Sequence, residues 1–247
     1  MPINFARSLT SRDSSSRTIR QLGFALAFVA GAANAGAYLA VRTYTSHMTG
    51  IVSSMADSLA LGEWSLAVSA AGAVVSFMVG AMTSAIMINV GRRRQARSAF
   101  ALPLLLEALL FLAFGLLGGA LTAVHGLFVP ATVSLLCFMM GLQNAVITKI
   151  SGSVVRTTHL TGVITDLGIE LGKWVYWNRS SDRSLEDVVA DRERMATLGL
   201  LVLSFLLGGV LGALGFKHLG YLATLPLAAI LFFLSAVPVI DDLRNRA

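Results

Sequence analysis

Two short polar motifs carry the most specific chemical signal in this sequence. His47–Gly50 and His159–Gly162 both follow the pattern His-x-Thr-Gly. The spacing predicts that Thr49 and Thr161 cap short helices by accepting a free backbone N–H, and the glycine that follows lets a ligand or a second backbone approach closely. A helix that begins inside a membrane also directs its positive end at an anion. Each motif is therefore either a substrate-contacting turn or a capped turn that only packs the fold, and each histidine either relays protons or is a hydrogen-bonded turn residue.

Polar side chains also stand inside otherwise apolar sequence. Asn34 and Asn144 lie within apolar stretches, where an amide needs a partner, so they either line a substrate path or join helices by hydrogen bonds. Glu107 lies about 12 Å into its stretch at 1.5 Å per residue, as an ion carrier or as a buried structural group. Asp166 and Glu170 are four residues apart and share a helix face. We take Asp166 as a further candidate ion carrier, the alternative being a solvated face.

The composition excludes most soluble protein classes. Of the 247 residues, 55% are hydrophobic and 13% are charged, against about 25% charged in a soluble domain. The net charge of +6 comes in short clusters between apolar runs, which is typical of membrane topology rather than of nucleic-acid binding. The only cysteine, Cys137, is predicted to pack as an apolar side chain. No nucleotide-binding, nucleophile or zinc pattern occurs, so we predict no enzyme, no cofactor and no metal.

Six stretches reach the roughly 20 apolar residues that a helix needs to cross a bilayer. They are Leu22–Val41, Leu66–Ile88, Ala99–Ala123, Leu127–Ile147, Ala196–Gly215 and Tyr221–Ile240. Two helix-like stretches, Met48–Gly62 and Leu160–Tyr176, are shorter and more polar. They cross the membrane, re-enter it or lie along its surface.

The distribution of basic residues favours six crossings. With six, every one of the 19 Lys and Arg residues except Arg42 and Lys217 lies in the cytoplasm, as the positive-inside rule requires; eight crossings would divide them almost evenly. Both termini are then cytoplasmic. Residues 1–20 are predicted to be a disordered tail, 178–194 a polar cytoplasmic loop and 242–247 a short tail.

The two halves of the chain, 21–125 and 126–241, share landmarks in the same order. The matched segments are Gly31–Ala35 with Gly141–Ala145, His47–Gly50 with His159–Gly162, Ser76–Gly80 with Ser204–Gly208, and Leu102–Leu104 with Leu225–Leu227. Three crossings per half would invert the second half relative to the first, as in many transporters. The predicted fold is therefore all-α and polytopic, with six transmembrane helices as 3+3 inverted repeats and two short interrupted or re-entrant helical segments.

These motifs carry a family resemblance. Ser46–Gly50, Gly141–Ala145 and Thr161–Gly168 follow in an order that resembles the YoaK/DUF1275 family of bacterial membrane proteins. The resemblance extends from Leu22 to about Ile240 and implies a multi-span helical fold in the bacterial inner membrane. It implies little about activity. Members of the family usually carry an acidic residue where Asn34 stands, so ion coupling through that position is not implied here.

The leading hypothesis is a small secondary transporter or channel that carries an unidentified small molecule or ion through a site between the halves. The residues predicted to line this site are Asn34, Thr49, Gly50, Asn144, Thr161 and Gly162. The candidate proton or ion carriers are Glu107, His47, His159 and Asp166. The lipid bilayer is the expected environment, and a homodimer would supply a second lobe by analogy with two-lobed carriers. The alternative is a non-transporting scaffold or sensor that binds a cytoplasmic partner through residues 178–194.

Overall fold

The computed structural model describes residues 15–96, 98–121, 128–152, 157–178 and 187–244, which contain helices and no strand. The helices are α1 (Ser16–Val41), α2 (Met48–Ala60), α3 (Trp64–Arg93), α4 (Ala101–Leu121), α5 (Phe128–Ser151), α6 (Leu160–Val175), α7 (Arg192–Leu219) and α8 (Thr224–Arg244). A 3-10 turn, Gly220–Ala223, joins α7 to α8. The predicted all-α class is confirmed.

Side-chain caps make two of the long helices begin earlier than predicted. The hydroxyl of Ser15 accepts the N–H of Thr18 at 3.3 Å, so α1 starts at residue 16. The carboxylate of Asp191 accepts the N–H of Arg194 at 2.9 Å and starts α7. Residues 16–20, predicted to belong to a disordered tail, are therefore helical, and α8 likewise continues through Arg244 into the predicted C-terminal tail. Residues 1–14 and 245–247 lie outside the described part of the chain.

Several helices have the length and apolar surface that a membrane requires. The candidate spans within the described residues are Ser16–Val41, Trp64–Arg93, Ala131–Ser151 and Arg192–Asp242, and the last of these contains both α7 and α8. Large apolar side chains such as Met82 and Leu207 are exposed along α3 and α7. Lipid is the solvent that suits so many exposed apolar groups, so the fold is that of a helical membrane protein.

Helix α1 packs against α7 along most of its length, and the two helices run parallel. Close pairs advance together along both: Phe28 with Gly208, Ala32 with Gly212, and Gly36 with Phe216. Helix α3 packs against α5 in the same parallel sense, with Gly80 beside Phe138 and the Lys149 ammonium donating to the Asn89 amide oxygen at 2.9 Å. Each long helix of one half therefore has its main partner in the other half.

The third pair, α4 and α8, is antiparallel. The Thr224 hydroxyl at the start of α8 donates to the Phe111 carbonyl in the middle of α4 at 3.0 Å. At the other end of the pair, the Ser98 N–H donates to the Asp242 carboxylate at 2.7 Å. The main apolar core lies between α1, α4, α5 and α8, and includes Phe111 and Met140. Cys137 is buried in a smaller cluster with Ile51 and Ala73, as an apolar side chain.

Glycines set the crossing of α1 on α7. A Cβ added at Gly31 would overlap the carbonyl of Phe205, and one added at Gly208 would overlap the carbonyl of Phe28. Each helix thus offers a glycine to the backbone of the other, which brings the two axes close in the manner of small-residue packing in membranes.

The crossing of α3 on α5 has the same reciprocal form. A Cβ at Gly80 would overlap the carbonyl of Phe138, and one at Gly141 would overlap the carbonyl of Phe77. Gly31 and Gly141, and likewise Gly80 and Gly208, are the glycines that match between the halves of the sequence. Two of the matched sequence landmarks therefore mark close backbone contacts between helices.

Candidate functional site

The two His-x-Thr-Gly motifs begin the short helices α2 and α6 in the same way. The residue before each helix is the histidine, with φ of −93° at His47 and −83° at His159, and neither helix has a side-chain cap. Each histidine carbonyl accepts the first intrahelical N–H. Thr49 and Thr161 lie inside the first turn, so the prediction that they are the N-caps is wrong. The helix starts two residues earlier than the threonine pattern suggested.

The glycine of each motif makes room for its own histidine. A Cβ at Gly50 would overlap the imidazole of His47, and one at Gly162 would lie 2.7 Å from Nδ1 of His159. The free space that was predicted to admit a ligand is therefore occupied by the histidine ring, which folds back over the first turn of the helix.

The two asparagines hold the turns that lead into these helices. The amide oxygen of Asn34 accepts the N–H of Ser46 at 3.2 Å. The amide oxygen of Asn144 accepts the hydroxyl of Thr158 at 2.5 Å, and its Nδ2 donates to the Met140 carbonyl at 2.8 Å. Ser46 and Thr158 directly precede the two histidines. Each asparagine thus ties a short helix to the first long helix of its own half.

Replacing Asn144 by alanine is expected to loosen the start of α6. The Thr158 hydroxyl would lose its acceptor, and a lost hydrogen bond at a part-buried site costs about 0.5–1.5 kcal/mol. The measurement is amide hydrogen exchange of residues 157–163 in detergent, where exchange should become faster. Asn89→Ala, which removes only an exposed contact with Lys149, is the control. Unchanged exchange at 157–163 would contradict the proposed positioning role.

Glu107 lies fully buried on α4. Both of its carboxyl oxygens lack a hydrogen-bond partner among the described residues. The structural hydrogen bond that was the alternative for this residue is therefore not present in the described part of the chain.

Gln143 on α5 is as buried as Glu107, and neither the oxygen nor the nitrogen of its side-chain amide has a hydrogen-bond partner among the described residues. Sequence reasoning missed Gln143, although an amide next to Asn144 in an apolar stretch was a usable signal.

Each short helix borders one cleft. The cleft beside α2, here the α2 cleft, has a volume of about 750 Å³ and is bordered by the end of α1 and the starts of α3 and α5. The cleft beside α6, here the α6 cleft, has a volume of about 700 Å³ and is bordered by the starts of α1 and α7 and the end of α5. The two clefts therefore lie at opposite ends of the bundle.

The linings of the two clefts correspond on the short helices and on the long helices that follow them. Ser54 and Asp166 occupy equivalent places on the short helices, as do Ala73 and Leu201 on the long helices that follow. His47 and Gly50 border the α2 cleft. Asn34 with the first motif and Asn144 with the second form two groups at opposite ends, so the predicted binding residues do not meet in one place.

An ionic network closes the α6 cleft along α6 and α7. The Arg194 guanidinium lies 3.1 Å from Asp166 and 3.8 Å from Glu170. Glu170 also accepts the Lys173 ammonium and the N–H of Asp191, each at 2.9 Å, and its side chain is 2% exposed. Asp166, predicted as an ion carrier, is thus paired with arginine. Glu170, which the sequence analysis placed on the same helix face as Asp166 without proposing it as an ion carrier, is the centre of the network.

A further ion pair joins α1 to this end of α7. Arg20 and Glu193 are in contact across the mouth of the α6 cleft. Because the Glu193 side chain is 71% exposed, water screens the pair, and exposed pairs of this kind contribute about 0–1 kcal/mol. The ion pairs of the buried Glu170 carboxylate therefore contribute more to holding α6 against α7 than the Arg20–Glu193 pair contributes to holding α1 there.

The network makes the attachment of α6 dependent on pH. The N–H of Asp191 and then the Lys173 ammonium hold the pKa of Glu170 below its ordinary value of 4.5. A lowered folded pKa means that the stabilisation is complete at neutral pH and is lost as the pH falls through that lowered pKa. The amide protection factor of Asp191, corrected for intrinsic exchange, should therefore persist from pH 7 down to pH 4.5 and decline below it.

Two substitutions separate the charge of Glu170 from its hydrogen bond. Glu170→Gln keeps an acceptor for the Asp191 N–H but loses the ion pairs. The protection factor of the Asp191 amide should therefore be partly reduced, and it should not change as the pH falls. Glu170→Ala should lose the protection at all pH values. Equal protection in both variants and in the wild type would show that α6 is held by apolar packing alone.

These features define the class: a helical membrane protein whose two short helices each border a cleft. The chain belongs to the DUF1275 family, described as a protein of unknown function, whose family model matches residues 22–237. The resemblance seen in the motifs is therefore confirmed for that family. No curated protein and no solved structure matches the chain.

Proposed function

We propose that this protein is a small secondary transporter or channel of the bacterial inner membrane, with both termini in the cytoplasm. The observation that carries the proposal is the pair of equivalent clefts at opposite ends of one bundle. Transporters built from inverted repeats expose a central region alternately to the two sides of the membrane. Two clefts bordered by equivalent helices at opposite ends of the bundle are what such a repeat produces.

Six spans are supported by the way the apolar segments divide. The candidate span Arg192–Asp242 is interrupted at Gly220, where φ is +59° and the chain turns from α7 into α8. Helix α4 contains 21 residues, enough to cross the roughly 30 Å hydrocarbon core at 1.5 Å per residue. Helices α2 and α6, with 13 and 16 residues, are too short to cross.

The inversion is supported by helix direction and by the crossings. The end of α1 and the start of α5 border the same cleft, so these equivalent helices run in opposite directions. Exchanging residues 21–125 with 126–241 turns the α1–α7 crossing into the α5–α3 crossing, with Gly31 exchanged for Gly141. A two-fold axis in the plane of the membrane would relate the halves in this way.

The position of α6 supports the cytoplasmic side for its cleft. Trp174, Tyr176 and Trp177 are exposed at the end of α6, and such aromatic residues favour the boundary between lipid and water. The same end of the bundle carries Arg20 and Arg194, in keeping with the positive-inside rule. The α2 cleft then faces the outside.

Glu107 supports ion coupling. An ionised carboxylate without a partner or water costs several kcal/mol in a protein interior, and neither oxygen of Glu107 has a partner in the described residues. The enclosed side chain therefore needs a proton or a cation with it. Such a group would let the protein exchange ions only when its surroundings open.

The transport proposal is tested in proteoliposomes on a solid-supported membrane. Concentration jumps of a panel of organic anions, organic cations and neutral solutes are applied with and without a pH gradient, and charge movement and interior pH are recorded. Protein-dependent flux of at least one solute or of protons is expected. No protein-dependent flux of any kind, with folding verified by thermal unfolding, would overturn the proposal.

A scaffold or sensor is the second candidate. The side-chain amide of Asn178 accepts the N–H of Val188 at 3.0 Å and donates to the Val188 carbonyl at 3.1 Å. These two hydrogen bonds close the base of the polar loop, where Val189 and Trp177 are exposed. Residues 179–186 lie outside the described part of the chain. Deleting them should remove a cytoplasmic partner from a scaffold and leave the flux of a transporter unchanged.

A further inference from the structure

The two clefts correspond in position but differ in charge. The α6 cleft is lined by the acidic residues Asp166, Asp191 and Glu193 together with two arginines. In the α2 cleft, Ser54 stands where the α6 cleft has Asp166, and no acidic residue is among the described residues that line it. The α2 cleft therefore carries positive charge without compensation from its own walls.

Three groups supply this positive character. Arg42 ends α1 in the left-handed conformation, with φ of +57°, and forms no ion pair with the described residues. His47 borders the cleft beside it. Helix α2 starts at the same place, and the side chain of its N-cap His47 does not cap it, so the positive end of the helix adds to this character. Guanidinium, imidazole and N–H groups all donate hydrogen bonds, which suits an anion.

The rest of the cleft is apolar. Ile51 of α2, Leu66 and Val68 of α3, and Val133 of α5 form its walls, and the side chain of Val68 is 69% exposed. At one rim the ring of Tyr44 stacks on that of Tyr38, with the centroids 4.6 Å apart. The volume of about 750 Å³ falls in the range of sites that enclose a small organic molecule.

We propose that the α2 cleft binds an organic anion, with its anionic group on Arg42 and His47 and its apolar body between Ile51 and Leu66. A soluble carboxylate and the head group of an anionic lipid share this chemistry. The proposal of a binding site depends only on the residues that line the cleft. That the bound anion is the transported substrate rests on the proposed function.

The test measures binding to the full chain in nanodiscs of zwitterionic phosphatidylcholine. The probes are 4-butylbenzoate and its neutral analogue 4-butylbenzamide, followed by isothermal titration calorimetry. The carboxylate should bind roughly tenfold or more tightly than the amide, since charge-assisted hydrogen bonds distinguish the two. Arg42→Gln should remove this preference. Lys217→Gln removes the same charge at the other exposed cation predicted on the outer side, and should leave the preference intact.

A second variant gives the α2 cleft the acidic residue that the α6 cleft has at the equivalent position. Ser54→Asp places a carboxylate where the α6 cleft has one and should weaken carboxylate binding without affecting the amide. Equal affinities for the two probes in the wild type, or an Arg42→Gln protein that is folded and binds like the wild type, would overturn the proposal. Nanodiscs containing phosphatidylglycerol separate the two sources: a lipid site would be blocked there, and a site for soluble anions would remain open.

Binding and transport fail independently. Carboxylate binding that depends on Arg42, with no flux in the wild type, would keep the anion site and refute the transporter. Flux of some other solute with no carboxylate preference would do the reverse. Each result therefore refutes one proposal without touching the other.

Discussion

Alanine in place of Gly208 is expected to destabilise the fold, and valine to prevent α1 from crossing α7. The added Cβ would overlap the Phe28 carbonyl, and backbone atoms cannot move aside unless the helices separate. Overpacking of this kind costs about 1–3 kcal/mol, and a branched side chain costs more. The measurement is the free energy of unfolding by sodium dodecyl sulfate in mixed micelles.

Gly199 is the matched control on the same helix. A Cβ there meets nothing within 4 Å, and alanine favours a helix over glycine by about 1 kcal/mol. Gly199→Ala should therefore be neutral or stabilising. Equal losses of stability at Gly199 and Gly208 would show that glycine flexibility, rather than the crossing, determines the effect.

Double substitutions test whether the two crossings are separate units. Gly31→Ala and Gly208→Ala act on the same crossing, so their combined effect should be smaller than the sum, because the first has already separated the helices. Gly80→Ala acts on the crossing of α3 and α5. Combined with Gly208→Ala it should be additive, as expected of distant sites.

Glutamine in place of Glu107 is expected to abolish flux driven by a pH gradient while the protein remains folded. Glutamine has nearly the same size and keeps a polar end, but it carries no exchangeable charge. If the enclosed carboxyl must hold a proton or a cation, the variant loses its coupling and keeps its packing. Proteoliposome flux with an imposed pH gradient measures this.

Glu63→Gln is the control, since Glu63 is an exposed carboxylate at the turn between α2 and α3. It should transport like the wild type. Normal pH-driven flux in a folded Glu107→Gln protein would show that Glu107 has no part in coupling. Glu107→Leu should be more stable than the wild type, because removing an unpartnered buried carboxyl relieves its cost.

The helices could be predicted from the sequence because the signal is local. A run of about 20 apolar residues determines a long helix by itself, and the short helices α2 and α6 followed from their own polar interruptions. The two stretches were predicted to begin at Met48 and at Leu160, as the helices do, but the N-cap of each was misplaced by two residues. Thr49 has the side chain of a good cap, but the chain turns into the helix at His47, and only the backbone path decides which residue is the cap.

The clefts and the ionic network could not be predicted in the same way. Glu170 meets the N–H of Asp191 and the guanidinium of Arg194 across a loop whose length alone does not determine where α7 begins. In the sequence, Arg42 is notable only as one of the two basic residues predicted to lie outside the cytoplasm. Its place in an apolar cleft depends on α2, α3 and α5 meeting beside it.

The sequence by itself determined that this is a helical membrane protein, where its helices lie, and which residues match between its halves. Composition and local hydrophobicity are sufficient for that, because lipid exposure is decided segment by segment. Only the tertiary structure decided what the matched residues do. Gly31 and Gly141 bring helices together, and Asn34 and Asn144 hold turns. Those roles depend on which backbone lies opposite, which is set by the packing of segments distant in the chain.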